Sequence, residues 1–65
     1  MTNNIKLGTL IKFSATTSFY LHDIQYDIVE FYLKSHIKAN KQLTKMKVIQ
    51  FRIFNENTLW VDIEE

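Results

Sequence analysis

From Met46 to Glu64 the side chains alternate with a period of two, and the alternation breaks only at Asn55-Glu56-Asn57. Lys47, Ile49, Phe51 and Ile53 alternate with Met46, Val48, Gln50, Arg52 and Phe54; beyond the break, Leu59, Val61 and Ile63 alternate with Trp60, Asp62 and Glu64. That pattern predicts two strands joined by a tight turn. A three-residue loop with Asn57 in the left-handed conformation closes such a hairpin. It sets Phe54 opposite Thr58, Ile53 opposite Leu59, Phe51 opposite Val61 and Ile49 opposite Ile63. On the other face it pairs Arg52 with Trp60 and Gln50 with Asp62, and Lys47 meets Glu65. A slip of one residue would mix the two faces, so the register is tightly constrained.

The chain has 65 residues, which allow one domain, residues 1–65, with no linker or repeat. A fold this small buries only about 60% of the surface its unfolded chain exposes, so it needs support from disulfides, a metal or self-association. With no cysteine and only two histidines, disulfides are impossible and a zinc site is disfavoured. Self-association is the expected support. The net charge of +1 argues against a strong non-specific polyanion binder. The N-terminus lacks a signal-peptide pattern, and no apolar run reaches the ~18 residues of a membrane span, so a cytoplasmic protein is expected.

Met1 to Asn4 is polar and expected to fray. From Ile5 to Ala15 the pattern again has a period of two, with Ile5, Leu7, Thr9, Ile11 and Phe13 on one face, and predicts a first strand in which Gly8 marks a bulge or a frayed start. Thr17 or Ser18 then caps a helix. Phe19 to Lys41 fits a helical period: Leu21, Ile24, Ile28, Phe31 and Tyr32 form one stripe, and Tyr26, Val29, Leu33 and Ile37 form a second beside it. An alternative continues Ser18 to Leu21 as strand, with Asp23 as the cap. Asn40 is the expected left-handed stop, followed by a loop to Lys45. The predicted fold is α+β, β-α-β-β, with one long helix on one face of a three-stranded sheet. Strand order 1-3-2 is favoured over 1-2-3.

No constellation carries chemistry. His22 and His36 would lie about 20 Å apart along a helix, too far to share an ion. Asp23, Asp27 and Glu30 form an acidic stripe that runs on into Lys34, Lys38 and Lys41, which describes a solvated face tuned to the helix dipole. The hydroxyl-rich Ser14 to Ser18 lacks the base and the glycine-framed turn of a nucleophile. The sequence predicts no enzyme, cofactor or metal.

The surfaces are more informative. The paired stripes make the predicted helix apolar over more than the arc one small sheet can cover. The outer face of the sheet, with Leu10, Lys12, Val48, Gln50, Arg52, Phe54 and Trp60, is richer in apolar and aromatic groups than a solvated face requires. The expected contact set is therefore Tyr26, Val29, Leu33 and Ile37 on the helix and Lys12, Arg52, Phe54 and Trp60 on the sheet. The function expected is a non-catalytic protein-interaction module, working as a homodimer. A small nucleic-acid-binding regulator, stacking bases on the sheet aromatics, is the alternative. The small, glycine-poor, Ile/Lys/Asn-rich composition resembles that of accessory proteins of phages and mobile elements, many of which bind and inhibit a host protein. The resemblance is one of composition and carries no motif.

Overall fold

The computed structural model describes residues 5–65, and the expectation for Met1–Asn4 lies outside them. The elements in chain order are helix α1 (Leu7–Phe13), strands β1 (Ser18–Asp23) and β2 (Ile28–Leu33), helices α2 (Lys34–Ala39) and α3 (Lys41–Thr44), and strands β3 (Lys47–Asn55) and β4 (Thr58–Glu64). The strands form one mixed sheet of order β2-β1-β4-β3. The central pair, β1 and β4, is parallel; both outer pairs are antiparallel. Among the described residues the expected three-stranded sheet with one long helix is thus replaced by four strands and three short helices.

The largest correction falls on Phe19 to Lys41. Its first part is a β-hairpin pairing Ser18 with Leu33 through to Asp23 with Ile28, and only Lys34 to Ala39 and Lys41 remain helical within the expected range. Phe19, Tyr20, Ile28, Val29, Phe31 and Tyr32 are aromatic or β-branched, residues that lose rotamer freedom in a helix and suit a pleated surface. The turn is closed by Asp27, which takes a φ of 54°, a conformation that aspartate tolerates better than most residues. The Asp23 carboxylate accepts from the Gln25 N–H at 3.0 Å.

Residues expected as the first strand form α1. Leu7 and Ile11 lie four apart, on one face of a helix as well as on one face of a strand, and both are fully buried, with Leu10 packed beside them. Only Ile5 to Leu7 keeps strand character: the Leu7 N–H donates to the Met46 carbonyl and the Val48 N–H to that of Ile5, both at 2.8 Å. Gly8 is therefore not a strand bulge. A Cβ there would stand 3.0 Å from the Thr44 Cβ and 3.2 Å from the Thr44 carbonyl oxygen, so glycine permits the close approach of α1 to α3. Asn40 ends α2 in an extended conformation rather than a left-handed one, and its side chain caps α3 by accepting from the N–H groups of Gln42 and Leu43. The expected loop after it is that four-residue helix.

The C-terminal hairpin forms close to the expected register. Ile53 faces Leu59, Phe51 faces Val61, Arg52 faces Trp60 and Gln50 faces Asp62. Two bulges correct the ends. Between Val48 and Gln50 the extra residue places Val48, not Ile49, opposite Ile63; between Ile53 and Asn55 another places Asn55, not Phe54, opposite Thr58. Lys47 accordingly pairs with Glu64 rather than Glu65. The turn is two residues, Glu56 and Asn57, without a left-handed Asn57.

All three helices lie on one face of the sheet. The core beneath them joins Leu7 and Ile11 of α1, Phe19 and Leu21 of β1, Ile37 of α2, Val48 of β3, and Val61 and Ile63 of β4. Ile28, placed by the helical reading on its main apolar stripe, is instead half-exposed at the β2 edge.

Candidate functional site: the uncovered face of the sheet

Alternation along the strands sends one set of side chains to the helices and the other to the opposite face, which no helix covers among the described residues. Pairing places Tyr20 and His22 of β1, Val29, Phe31 and Leu33 of β2, Trp60, Asp62 and Glu64 of β4, and Gln50, Arg52 and Phe54 of β3 on that outer face. Val29, Phe31, Leu33 and Phe54 are each about half-exposed.

Tyr20 is the hub of the aromatic group. Its ring centroid lies 5.2 Å from that of Phe31, edge to face, 4.9 Å from Phe54 and 6.0 Å from Trp60. Phe54 and Trp60 lie 6.3 Å apart and are close to parallel. These are the separations at which aromatic quadrupoles attract, adding about 0.5–1.5 kcal/mol per pair beyond the burial of area. Because Tyr20 and Phe54 belong to strands separated by β4, their contact passes over β4 and ties β1 to β3. The Arg52 guanidinium stands 5.2 Å from the Trp60 ring, within cation–π range.

A polar network adjoins the rings. The Asp62 carboxylate, 12% exposed, accepts from Trp60 Nε1 at 2.9 Å and from Gln50 Nε2 at 2.7 Å, and lies 3.0 Å from His22 Nδ1. The other ring nitrogen, His22 Nε2, lies 2.8 Å from Asp27 in the β1–β2 turn. An ionised carboxylate only accepts, so both bonds form when the ring carries both protons. Those hydrogen bonds, to Asp27 first and Asp62 second, raise the His22 pKa above the ordinary 6.5, against a smaller opposing effect of burial. Partial burial by itself would raise the Asp62 pKa, but the bonds from Gln50, His22 and Trp60 outweigh it and hold the carboxyl below the usual 3.8.

This arrangement fixes the face more readily than it reacts. Among the described residues no hydroxyl hydrogen-bonds the histidine or the aspartate, and the depression lined by Gln50, Phe51, Arg52, Trp60 and Asp62 has a volume of about 70 Å³, well short of the roughly 300 Å³ at which small-molecule sites begin. A larger hollow of about 550 Å³ lies on the helix side between Tyr32, α3 and Glu65, and its lining brings no nucleophile against a base. Among the described residues no cluster of three His, Cys, Asp or Glu side chains suits a metal ion, and no helix is long and apolar enough to cross a membrane.

The residues expected to form the contact set are partly brought together and partly dispersed. Arg52, Phe54 and Trp60 converge on the outer face, and Val29 and Leu33 join them from β2. Tyr26 stands in the β1–β2 turn, two-thirds exposed; Ile37 is wholly buried in the core under α2. Lys12 is on α1, on the opposite side of the sheet, with its ammonium 5.8 Å from the Phe13 ring. Leu10 and Val48, expected on the outer face, pack in or against the core. Tyr20, His22, Phe31 and Asp62 are the members the sequence reading missed. For Tyr20 and His22 the signal is their alternation with Phe19 and Leu21, which a helical period obscures. No protein-family model matches this chain, and neither a curated protein nor a solved structure does.

Proposed function

We propose that the protein is a non-catalytic interaction module that presents the outer sheet face to a protein partner and works as a homodimer. The observation that carries this reading is the uncovered aromatic group of Tyr20, Phe31, Phe54 and Trp60, flanked by Val29 and Leu33. Aromatic residues and arginine dominate binding energy at protein interfaces, and here hydrogen bonds and ring contacts hold several of them before any partner arrives. Such preorganisation lowers the entropy lost on binding. The module acts by covering a surface of its partner, the mode by which a small chain with no catalytic centre can inhibit a larger protein.

Stacking of single-stranded nucleic acid is the second reading, favoured by Arg52 over Trp60 and by exposed rings on a sheet. Asp27, Asp62 and Glu64 on or beside the same face weigh against it, because most nucleic-acid affinity comes from phosphate neutralisation.

The test compares the wild type with Phe31→Glu and with the Arg52→Ala/Phe54→Ala double variant, all at exposed positions. A protein captured from the native cell by the wild type, lost with both variants and rebound after purification, is the expected result. Titration with mixed-sequence single-stranded oligonucleotides should show little binding at low salt. Tight binding that weakens steeply with salt and disappears in the double variant would replace the protein partner with a nucleic acid.

A further inference from the structure

The proposed homodimer can be placed on the fold, and this step rests on that reading. Strand β3 is an edge of the sheet, and its free side is divided. Ile5 to Leu7 occupies it as far as Val48, through the bridge of Lys6 with Lys47. The bulge between Ile53 and Asn55 then bends the chain. Between these limits no described residue pairs with Ile49 to Ile53 on that side.

Exposed edges in soluble proteins are commonly blunted by lysine, proline or inward-pointing charge. This run, Ile49-Gln50-Phe51-Arg52-Ile53, has only Arg52. On the helix side Phe51 is half-exposed and Ile53 78% exposed. Beside them Phe13 projects from the end of α1, 80% exposed. A hollow of about 440 Å³ lined by Ile5, Leu10, Phe13, Phe51 and Leu59 lies alongside.

We propose that β3 pairs with β3 of a second copy, antiparallel, about a twofold axis perpendicular to the sheet at Phe51, joining two four-stranded sheets into one of eight. The register follows from two independent features. A twofold through the middle of the free run falls on Phe51, and it sets Ile49 opposite Ile53 of the partner subunit. It also sets Arg52 opposite Gln50 of the partner subunit. Moving the axis by one residue to Arg52 would put the two guanidinium groups directly opposite each other, a destabilising like-charge pair.

The occupant is a second copy because the surface complements itself. Phe51 meets Phe51 of the partner subunit, every strand end stops where the partner's edge is already occupied, and the two hollows lie on the same side of the joined sheet. With about 200 Å² for a large side chain, the exposed parts of Phe13, Phe51 and Ile53 amount to roughly 400 Å² of apolar surface per protomer. That is about half of the roughly 800 Å² each partner gives to a standard interface, before the strand backbone is included. The outer aromatic faces of the two copies remain open on the other side of the joined sheet, giving a bivalent module.

Single-cysteine variants suit the test, because the chain has no cysteine of its own. Residues facing each other across antiparallel strands have Cα atoms about 4.5–5.5 Å apart, within the range a disulfide spans. Phe51→Cys, treated with oxidised glutathione, should cross-link to a dimer rapidly, and Arg52→Cys at least tenfold more slowly. In sedimentation at micromolar to millimolar concentration, Ile53→Lys should weaken the wild-type dimer at least 100-fold. Phe31→Glu, on the outer face, should leave it intact. A wild type that is monomeric throughout would overturn the homodimer and its placement together. A dimer that survives Ile53→Lys and is lost in Phe31→Glu would overturn the edge pairing alone, with the homodimer then formed through the outer face. Cross-linking faster at residue 52 than at 51 would overturn the register.

Discussion

His22 shows how a single side chain couples the turn, the sheet and pH. With a carboxylate at each ring nitrogen, the neutral ring must give up one bond, and the bond to Asp27 is the weaker constraint because Asp27 is 90% exposed while Asp62 is 12% exposed. The folded His22 pKa is raised above 6.5, so its contribution to stability is fully present below 6.5 and lost as pH rises through the folded value. The Asp62 pKa is lowered from 3.8; its contribution is fully present above 3.8 and lost as pH falls through the folded value. Asp27 and Asp62 are the charged groups that face the ring. Stability from this network should therefore be greatest between about pH 3.8 and 6.5 and decline on the alkaline side. Urea midpoints measured from pH 4 to 9 check this: His22→Gln should flatten the alkaline decline, and the His22 ring protons should titrate with a midpoint above 6.5. A midpoint at or below 6.5 would show that the two carboxylates do not hold the ring.

Among the elements, α1 is seven residues long, too short to be stable without the sheet beneath it, so its packing outweighs its propensity. Gly8 makes the point measurable. Alanine in a helix interior is ordinarily favoured over glycine by about 0.5–1 kcal/mol, yet here the new Cβ would meet the Cβ and carbonyl oxygen of Thr44, neither of which can swing away. Overpacking of this kind costs about 1–3 kcal/mol. Gly8→Ala should therefore destabilise the fold, lowering its urea midpoint, and a raised midpoint would show that α3 yields easily.

The same elements explain what the sequence made legible. Strand β4 and most of β3 could be read because polar Gln50, Arg52 and Asp62 alternate with apolar Phe51, Ile53 and Val61. The hairpin of β1 and β2 could not, because its outer face is nearly as apolar as its inner one: Tyr20, Phe31 and Leu33 stand where a solvated sheet would have polar groups. Without contrast between the faces the period of two fades, and the run resembles a helix with an apolar arc too wide for its surroundings. That excess width was a true signal of an uncovered surface assigned to the wrong element. In α1, Leu7 and Ile11 satisfy both periods, and only the partner surface decides between them. Arg52, Phe54 and Trp60 are legible as members of the outer face because they lie in the readable hairpin; Tyr20 and His22 are hidden with β1.

At the scale of the whole molecule, the limiting quantity is the small core. Globular stability of roughly 0.05–0.15 kcal/mol per residue gives a 65-residue chain about 3–10 kcal/mol. Phe19, fully buried in the middle of the sheet, touches this limit: Phe19→Ala should cost about 3–5 kcal/mol, enough to unfold a substantial fraction of the monomer. A dimer changes the outcome by mass action, because association that favours the folded chain raises apparent stability with concentration. The wild-type melting temperature should therefore rise with protein concentration, and Phe19→Ala, unfolded when dilute, should regain structure as concentration increases. Ile53→Lys should abolish the concentration dependence of the wild type while leaving its dilute melting temperature nearly unchanged, since Ile53 contributes little to the monomer core. Circular-dichroism melts over a hundredfold range of concentration make the measurement. A melting temperature independent of concentration in the wild type would mean that the small core sustains the fold alone and that the exposed apolar edge stabilises nothing through self-association.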